Sequence, residues 1–201
     1  MIDVIDYRAG NAPSVIYALE RLGIDCRLVS KPEQISTSDR LILPGVGAAR
    51  ATLESLDESG LVDPLTRRVG EGGVPFLGIC VGLQVLFDRS DEGDTRGLGW
   101  LPGEVLRFPV GERVPQIGWN EVRPTREHAL WEDVPEDGHF YFVNSYYAVP
   151  ADPADVLGVT DYGLEFCSVI ARDNVAATQF HAEKSGSLGL QILANFARWT
   201  P

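Results

Sequence analysis

The first 90 residues alternate strand-like apolar runs with segments that carry helical signals. Four runs are typical of strands, namely residues 2–6, 25–30, 40–45 and 74–79. A helix is predicted over residues 11–22, because Asn11 suits the N-cap, Pro13 fits the first turn and a glycine follows the end. Further helices are predicted over residues 49–59 and from residue 81 to 88. This alternation predicts an α/β fold whose doubly wound, mostly parallel sheet has helices on both faces.

The second half of the chain has a different pattern. Strand-like runs follow one another with turns and little helix between them, over residues 103–108, 114–122, 140–149 and 166–174. This pattern is typical of antiparallel strands added to a sheet. One more strand is predicted over residues 175–180, and a closing helix over residues 187–199. No repeat or linker interrupts the chain, so a single domain over residues 1–201 is predicted.

Composition narrows the function classes. The chain has 201 residues, a formal net charge of −12 and a pI of about 4.6, which argues against binding to nucleic acid or to an anionic membrane. The first residues lack the pattern of a signal peptide, and no apolar run approaches the roughly 20 residues of a membrane span. The three cysteines are far apart and form no CxxC pair, so we expect a reduced, cytoplasmic setting without disulfides, and neither a metal nor a cofactor.

The stretch GICVG, residues 78–82, places Cys80 between two glycines where a strand turns into a helix. A lone cysteine is usually a buried core residue. Small neighbours at a strand-to-helix turn are, however, the pattern of a nucleophile elbow, in which the side chain points out of the sheet. There the helix start favours the thiolate, and the N–H of Val81 can donate to an oxyanion. We therefore favour a nucleophile over a core thiol.

A cysteine nucleophile needs a base, and the chain has three histidines. His128 lies in a polar stretch, and His139 begins a strand-like run, so both are interpreted as structural. His181 ends a buried strand, and Glu183 follows two residues later, on the same face of an extended chain. Glu183 can therefore orient the His181 imidazole as the third member of a triad. Alternatively, it could cap the last helix.

A glycine-rich loop, PGVG, follows the strand at residues 40–45. Gly45 and Gly47 allow backbone N–H groups to approach a substrate, so the loop could supply a second oxyanion donor. Without the other motifs, it would be interpreted as an ordinary βα loop.

Together, the elbow cysteine, the His-x-Glu pair and the glycine-rich loop resemble the class I glutamine amidotransferases. The finer motifs DYRAGN, LPGVG, FLGICVGLQ, RGLGWLPGEV, VPQIGWNEV, YFVNSYY and QFHAEKS occur in the order and spacing of the glutaminase subunits of imidazole glycerol phosphate synthases. The resemblance covers essentially the whole chain.

The resemblance implies roles for particular residues. It implies that Cys80 attacks the amide of glutamine, that His181 shuttles protons and that Glu183 orients it. Val81 and the Gly45–Val46 peptide would form the oxyanion hole. The residues that would hold glutamine are Gly47, Gln84, Ser145 and Tyr146.

The resemblance also implies a partner. Ammonia would pass to a separate (βα)8-barrel synthase subunit, an obligate heterodimer partner that makes imidazole glycerol phosphate and AICAR in histidine biosynthesis. Asn11 and Lys184 match positions near the partner contact. Arg8, Ala12 and Pro13 depart from the family pattern in the segment that faces the partner, and Ala182 replaces its usual proline.

Three alternatives remain open from the sequence. A related amidotransferase could feed ammonia to a different partner, and would differ around Arg8. A cysteine peptidase or γ-glutamyl hydrolase would be active without a partner. A regulatory protein with a dead site is disfavoured by the intact Cys80, His181 and Glu183.

Overall fold

The computed structural model describes residues 1–8 and 10–201. In this part of the chain a long mixed sheet has the strand order β2-β1-β3-β4-β14-β13-β11-β7-β5-β6, β12 pairs with β13 and β9, and β8 and β10 form a separate hairpin. The strand bounds are β1 Ile2–Ile5, β2 Cys26–Val29, β3 Leu41–Gly45, β4 Phe76–Cys80, β5 Phe87–Ser90, β6 Thr95–Arg96, β7 Leu101–Arg107, β8 Gln116–Glu121, β9 Arg123–Pro124, β10 His139–Asn144, β11 Tyr146–Pro150, β12 Val156–Asp161, β13 Glu165–Arg172 and β14 Val175–Thr178.

The helices come mainly from the first half and the end of the chain. Their bounds are α1 Ala12–Arg21, α2 Pro32–Ile35, α3 Ala49–Glu58, α4 Val62–Thr66, α5 Val81–Gln84 and α6 Gly186–Arg198. A π-helical turn spans Arg67–Glu71, and short 3-10 turns span Ala129–Trp131, Pro153–Asp155 and Ala182–Lys184. Within residues 1–8 and 10–201, no helix is long and apolar enough to cross a membrane.

The centre of the sheet is parallel, as the strand–helix alternation predicts. β2, β1, β3, β4 and β14 pair in parallel in that order. Every residue of β1, β3, β4 and β14 is buried, which explains their nearly continuous apolar runs. The register places Gly45 beside Cys80 and Thr178 beside Ile79, so three strands end together near Cys80.

The second half adds antiparallel strands, and the predicted α/β class with antiparallel additions is confirmed. β13 pairs antiparallel with β14, β11 and β12, and β11 pairs antiparallel with β7. β10 and β8 run antiparallel to each other, with Asn144 opposite Gln116. This hairpin contacts the segment after β14, since the His181 N–H donates to the Tyr141 carbonyl over 2.9 Å.

Two predicted elements are wrong in their extent. The helix predicted from residue 81 to 88 ends at Gln84, and β5 begins at Phe87. Phe87 pairs in parallel with Leu101, and its side chain is fully buried in the sheet. The apolar residues before it are therefore explained by a buried strand as well as by a helix. The run predicted over residues 140–149 is divided at Ser145, where the chain leaves the hairpin and enters the main sheet as β11.

Candidate active site

Cys80 is the last residue of β4, and its backbone is strained. Its φ of 56° and ψ of −109° lie outside the conformations that a side chain other than glycine readily adopts, at a cost of about 1–3 kcal/mol. Glycine is required at position 82, because a Cβ there would lie 2.1 Å from the Leu43 carbonyl oxygen. The turn therefore packs directly on β3, as the sequence predicts for a nucleophile elbow.

His181 lies behind the sulfur, and Glu183 holds its ring. The His181 Nδ1 is 2.8 Å from the Glu183 Oε1, and the two side chains are 4% and 1% exposed. His181 has an extended backbone, but Glu183 already belongs to the 3-10 turn Ala182–Lys184. The predicted contact therefore forms across the start of a turn and not along an extended strand.

Asn11 supports the pair from α1. Its Nδ2 donates to the Glu183 Oε1 over 3.0 Å, and its Oδ1 accepts from the Ser14 hydroxyl over 2.7 Å. The Asn11 side chain makes no capping bond to the backbone of α1, although its position before the helix is the one predicted. The side chain therefore reaches the His181–Glu183 pair instead of closing the helix. The other carboxylate oxygen of Glu183 is buried and has no hydrogen-bond partner among the described residues.

The electrostatics favour a charged imidazole. Burial alone would lower the pKa of His181, but hydrogen bonds and charge interactions with Cys80 and Glu183 outweigh it and raise the pKa to about 10. At neutral pH, this environment holds an imidazolium against the sulfur and the carboxylate.

Most of the predicted site residues line one pocket of about 280 Å³, into which the Cys80 side chain faces. The predicted residues that line it are Val46, Gly47, Cys80, Val81, Gln84, Ser145, Tyr146, His181 and Lys184. Gly45 lies beside Cys80 in the sheet, whereas Glu183 and Asn11 lie behind His181. The structure thus brings together residues from five separate segments of the chain.

The predicted oxyanion residues meet at the elbow. A Cβ on Gly45 would lie 2.7 Å from the Val81 Cβ, so only glycine allows β3 to approach the turn this closely. Val46 and Gly47 continue along the pocket, and Gly47 has a φ of 88°. Pro44 and Gly45 belong to β3 itself rather than to the loop after it.

Gln84 is held by two acceptors. Its Nε2 donates to the Tyr146 carbonyl over 3.3 Å and to the Gln179 Oε1 over 3.0 Å. The Nε2 of Gln179 in turn lies 3.7 Å from the Cys80 Sγ. Gln179 is not among the predicted site residues, and its place two residues before His181 is the one sequence signal that it carries.

Two polar residues that line the pocket, Glu92 and Asn144, were also not predicted as site residues. Glu92 lines the pocket, and its Oε2 accepts from the Ala49 N–H over 2.6 Å. It lies in a polar turn after β5 with no motif of its own. Asn144 donates to the Tyr146 carbonyl over 3.0 Å, while its Oδ1 is buried with no partner in the described part of the chain.

The other histidines lie elsewhere, as the sequence analysis expects. The His128 Nδ1 accepts from the Leu130 N–H over 3.1 Å and caps the short turn that follows, and its ring packs on Trp199. His139 is exposed at the start of β10. Across residues 1–8 and 10–201, no three His, Cys, Asp or Glu side chains cluster so as to hold a metal ion.

Comparison with known sequences gives a consistent result. The family model described as "Glutamine amidotransferase class-I" matches residues 3–199. The imidazole glycerol phosphate synthase subunit HisH of Dehalococcoides mccartyi is 47% identical over 197 residues, covering 98% of this chain and 96% of that protein. HisH of Moorella thermoacetica is 49% identical over 196 residues, covering 97% and 93%. HisH of Desulfitobacterium hafniense is 43% identical over 200 residues, covering 99% and 94%.

Solved structures show the same fold at lower sequence identity. A crystal structure of a glutamine amidotransferase superposes with a TM-score of 0.77 at 23% identity and covers 97% of this chain and 96% of its own. The structure of PurLQS from Thermotoga maritima superposes with a TM-score of 0.74 at 18% identity, with the same coverage. The family model and the curated relatives place the chain more narrowly. The chain belongs to the class I glutamine amidotransferases and, within them, to the family of imidazole glycerol phosphate synthase subunit HisH.

Proposed function

We propose that the chain hydrolyses glutamine to glutamate and ammonia with Cys80, His181 and Glu183 as its catalytic residues. The observation that carries this proposal is a cysteine on a strained elbow facing a pocket whose wall holds a buried His–Glu pair. Burial, a fixed imidazole and a positive charge beside the sulfur are the conditions under which a thiolate acts as a nucleophile.

In the first half of the reaction, the Cys80 thiolate attacks the side-chain amide carbon of glutamine and forms the carbon–sulfur bond. The carbonyl electrons move to the oxygen, which becomes an oxyanion. The N–H of Val81 and the Gly45–Val46 peptide are placed beside Cys80 and would stabilise that charge. The His181 imidazolium then protonates the amide nitrogen, the carbon–nitrogen bond breaks, and ammonia leaves a γ-glutamyl thioester on Cys80.

In the second half, His181 is neutral and takes a proton from water as the water attacks the thioester. The second oxyanion collapses, the carbon–sulfur bond breaks, and the thiolate and the imidazolium are restored. The released γ-carboxyl group gives the second proton of the water to solvent and leaves as glutamate. Glu183 keeps the Nδ1 of His181 hydrogen-bonded throughout, so the other ring nitrogen faces the reacting atoms.

The pocket matches the two charged ends of an amino acid. Besides the catalytic groups, Glu92 and Lys184 are the charged residues among those that line it, and they carry opposite charges. We infer that Glu92 binds the α-ammonium group of glutamine and that Lys184 attracts its carboxylate. The unpartnered Oδ1 of Asn144 adds an acceptor for an N–H of the substrate. The remaining predicted glutamine contacts also line this pocket, namely Gly47, Ser145 and Tyr146.

The named relatives are subunits, and a partner is therefore part of the proposal. Ammonia released here would pass to a separate (βα)8-barrel synthase subunit that makes imidazole glycerol phosphate and AICAR in histidine biosynthesis, in the cytoplasm. Large apolar side chains are exposed near Lys184 and Asn11: Tyr17 on α1 is 70% exposed, and Trp119 on β8 is 56% exposed. Trp119 lies next to Gly186, two residues after Lys184. This surface is where we place the partner, with the chain acting as one domain.

The assay for this proposal measures glutamate released from glutamine by the chain alone and by the chain with a barrel synthase and its ribonucleotide ligand. We expect slow release alone and strong stimulation by the liganded partner. Cys80→Ala should abolish hydrolysis, while synthesis by the partner from added ammonia continues. Vigorous turnover without a partner would instead favour a hydrolase, and hydrolysis by Cys80→Ala would remove Cys80 from its role.

Glu92→Gln tests the substrate site separately. Removing the negative charge should raise the KM for glutamine about tenfold and leave kcat within about twofold, because Glu92 would bind the substrate and not the reacting amide. Steady-state kinetics of the complex give both constants. A kcat loss with an unchanged KM would exclude the assigned contact.

A further inference from the structure

We propose that Gln179 is a positioning residue that couples the nucleophile to the substrate site by holding Cys80 and Gln84 in one hydrogen-bond chain. The inference rests on the proposed function, in which Cys80 is the nucleophile and the pocket binds glutamine. Gln179 is fully buried and lies between the end of β14 and His181. Its backbone N–H donates to the Ser168 carbonyl over 2.8 Å, which ties the residue to β13.

The contacts of Gln179 fix which way its amide faces. The Gln179 Nε2 faces the Cys80 sulfur, from which it is 3.7 Å away, while the sulfur itself lies 3.9 Å from the Val143 carbonyl oxygen. The carbonyl oxygen then faces Gln84, whose Nε2 is 3.0 Å from it. Both contacts require the same orientation of the Gln179 amide. If the amide were reversed, its oxygen would face the sulfur and its nitrogen would face the Gln84 nitrogen.

The first consequence concerns the sulfur. A buried amide N–H directed at the thiolate stabilises the charged form, because hydrogen bonding to the ionised state favours that state. The strained elbow fixes the position of the sulfur, and the tie to Ser168 fixes the donor. Gln179 thus adds a neutral donor to the positive charge that His181 supplies.

The second consequence concerns substrate recognition. The two hydrogens of the Gln84 amide are taken by Gln179 and by the Tyr146 carbonyl. The Gln84 carbonyl oxygen is therefore left to accept a hydrogen bond in the pocket, which Gln84 lines. Glutamine carries N–H donors on its amide and its ammonium group, so an oriented acceptor matches it. Without Gln179, the Gln84 amide could turn over and present a donor instead.

The test follows alkylation of Cys80 by iodoacetamide across pH in the full chain, with the modified peptide quantified by mass spectrometry. Gln179→Met replaces the amide by an apolar side chain of similar length and should raise the pH midpoint of alkylation by about one unit. Gln179→Glu keeps the shape but places a negative charge beside the sulfur, so its midpoint should rise further. With the partner present, Gln179→Met should also raise the KM for glutamine about fivefold.

Thr178→Val is the matched control. Thr178 directly precedes Gln179 in the chain and is also fully buried. Its hydroxyl donates to the Phe180 carbonyl over 2.9 Å and not to the Cys80 sulfur. We expect this variant to lose stability and to keep the wild-type midpoint. A folded Gln179→Met with an unchanged midpoint would overturn the proposal. Should the methionine variant not fold, an unchanged midpoint in Gln179→Glu would overturn it, because the side chain would then not lie beside the sulfur. Alkylation requires neither glutamine nor a partner, so this result does not depend on whether glutamine is the substrate.

Discussion

Cys80 and Cys167 lie in the same sheet and are nearly equally buried, with exposed fractions of 4% and 7%, yet their surroundings differ in kind. Cys167 lies in the middle of β13, where its sulfur is 3.5 Å from the Val169 carbonyl oxygen. Burial raises the pKa of Cys167 to about 12, so this thiol stays neutral. Cys80 is at a strand end, beside the imidazole of His181 and the amide of Gln179.

The comparison shows that burial by itself makes a thiol inert. A buried sulfur becomes a nucleophile only where the surrounding groups stabilise its charge and leave it open to a pocket. Under the proposed function Cys80 meets both conditions, because it ends β4 at a strained turn, lies beside His181 and lines the pocket. Both sulfurs lie near a backbone carbonyl oxygen, Val143 for Cys80 and Val169 for Cys167. Cys167 continues a strand, and burial is the main cause that raises its pKa.

The largest loss of glutamine hydrolysis should come from removing the charged neighbour of Cys80, which leaves it a buried thiol like Cys167. His181→Asn removes the imidazolium, so the thiolate loses its counter-charge and the leaving nitrogen its proton donor. We expect glutamine hydrolysis by the complex to fall about 10³-fold or more, with slower alkylation of Cys80 at neutral pH. Glutamate release and peptide mass spectrometry measure the two effects. Loss of hydrolysis with normal alkylation would separate His181 from the state of the sulfur.

A smaller effect should appear in the pH dependence of stability. Burial alone would lower the pKa of His181 below its ordinary value of 6.5. The hydrogen bond to Cys80, followed by the contact with Glu183, outweighs burial and raises this pKa to about 10. The stabilisation that this charge provides is therefore complete below about pH 6.5 and is lost as the pH rises towards 10.

Urea unfolding between pH 6 and 10 measures this loss. The free energy of unfolding should decrease more steeply in the wild type than in Cys80→Ala, by on the order of 1 kcal/mol across the range. Parallel pH profiles for the two proteins would show that Cys80 does not hold the charge on His181.

The smallest effect is expected from Cys167→Ala. Removing one buried sulfur from β13 should lower the free energy of unfolding by about 1 kcal/mol through lost packing. Glutamine hydrolysis and the alkylation of Cys80 should both stay at the wild-type level. A Cys167→Ala variant that is folded and has lost hydrolysis would mean that the second thiol takes part in the chemistry.

Patterns in the sequence predict those site residues whose chemistry follows from local spacing. The elbow is predicted because Gly78 and Gly82 flank one cysteine at a strand end. The His181–Glu183 contact is predicted from the two-residue spacing together with the elbow cysteine, although the extended chain assumed for it is a 3-10 turn at Glu183. Glu92 is not, because a carboxylate in a polar turn has the same sequence appearance whether it faces solvent or a pocket. Gln179 is hidden for a related reason, since its role arises from contacts with residues nearly a hundred positions away.

The fold, too, is predicted where local patterns determine it and is missed where distant contacts do. The parallel centre is predicted because its strands are buried on both faces and read as continuous apolar runs. Short strands such as β6 and β9, of two residues each, carry no periodicity that a sequence can reveal. The helix after Cys80 is overpredicted because the run at residues 85–87 is apolar whether it forms helix or strand. Only the pairing of Phe87 with Leu101 shows that a strand begins there.

The central claim is that Cys80, and not another thiol, carries the glutaminase reaction. Its most direct test treats the chain in complex with a barrel synthase with limiting iodoacetamide and follows glutamate release together with modification of the peptides that contain Cys80 and Cys167. We predict that activity falls in proportion to modification of Cys80, that glutamine slows both, and that Cys167 stays unmodified. Full glutaminase activity after complete modification of Cys80 would contradict the account.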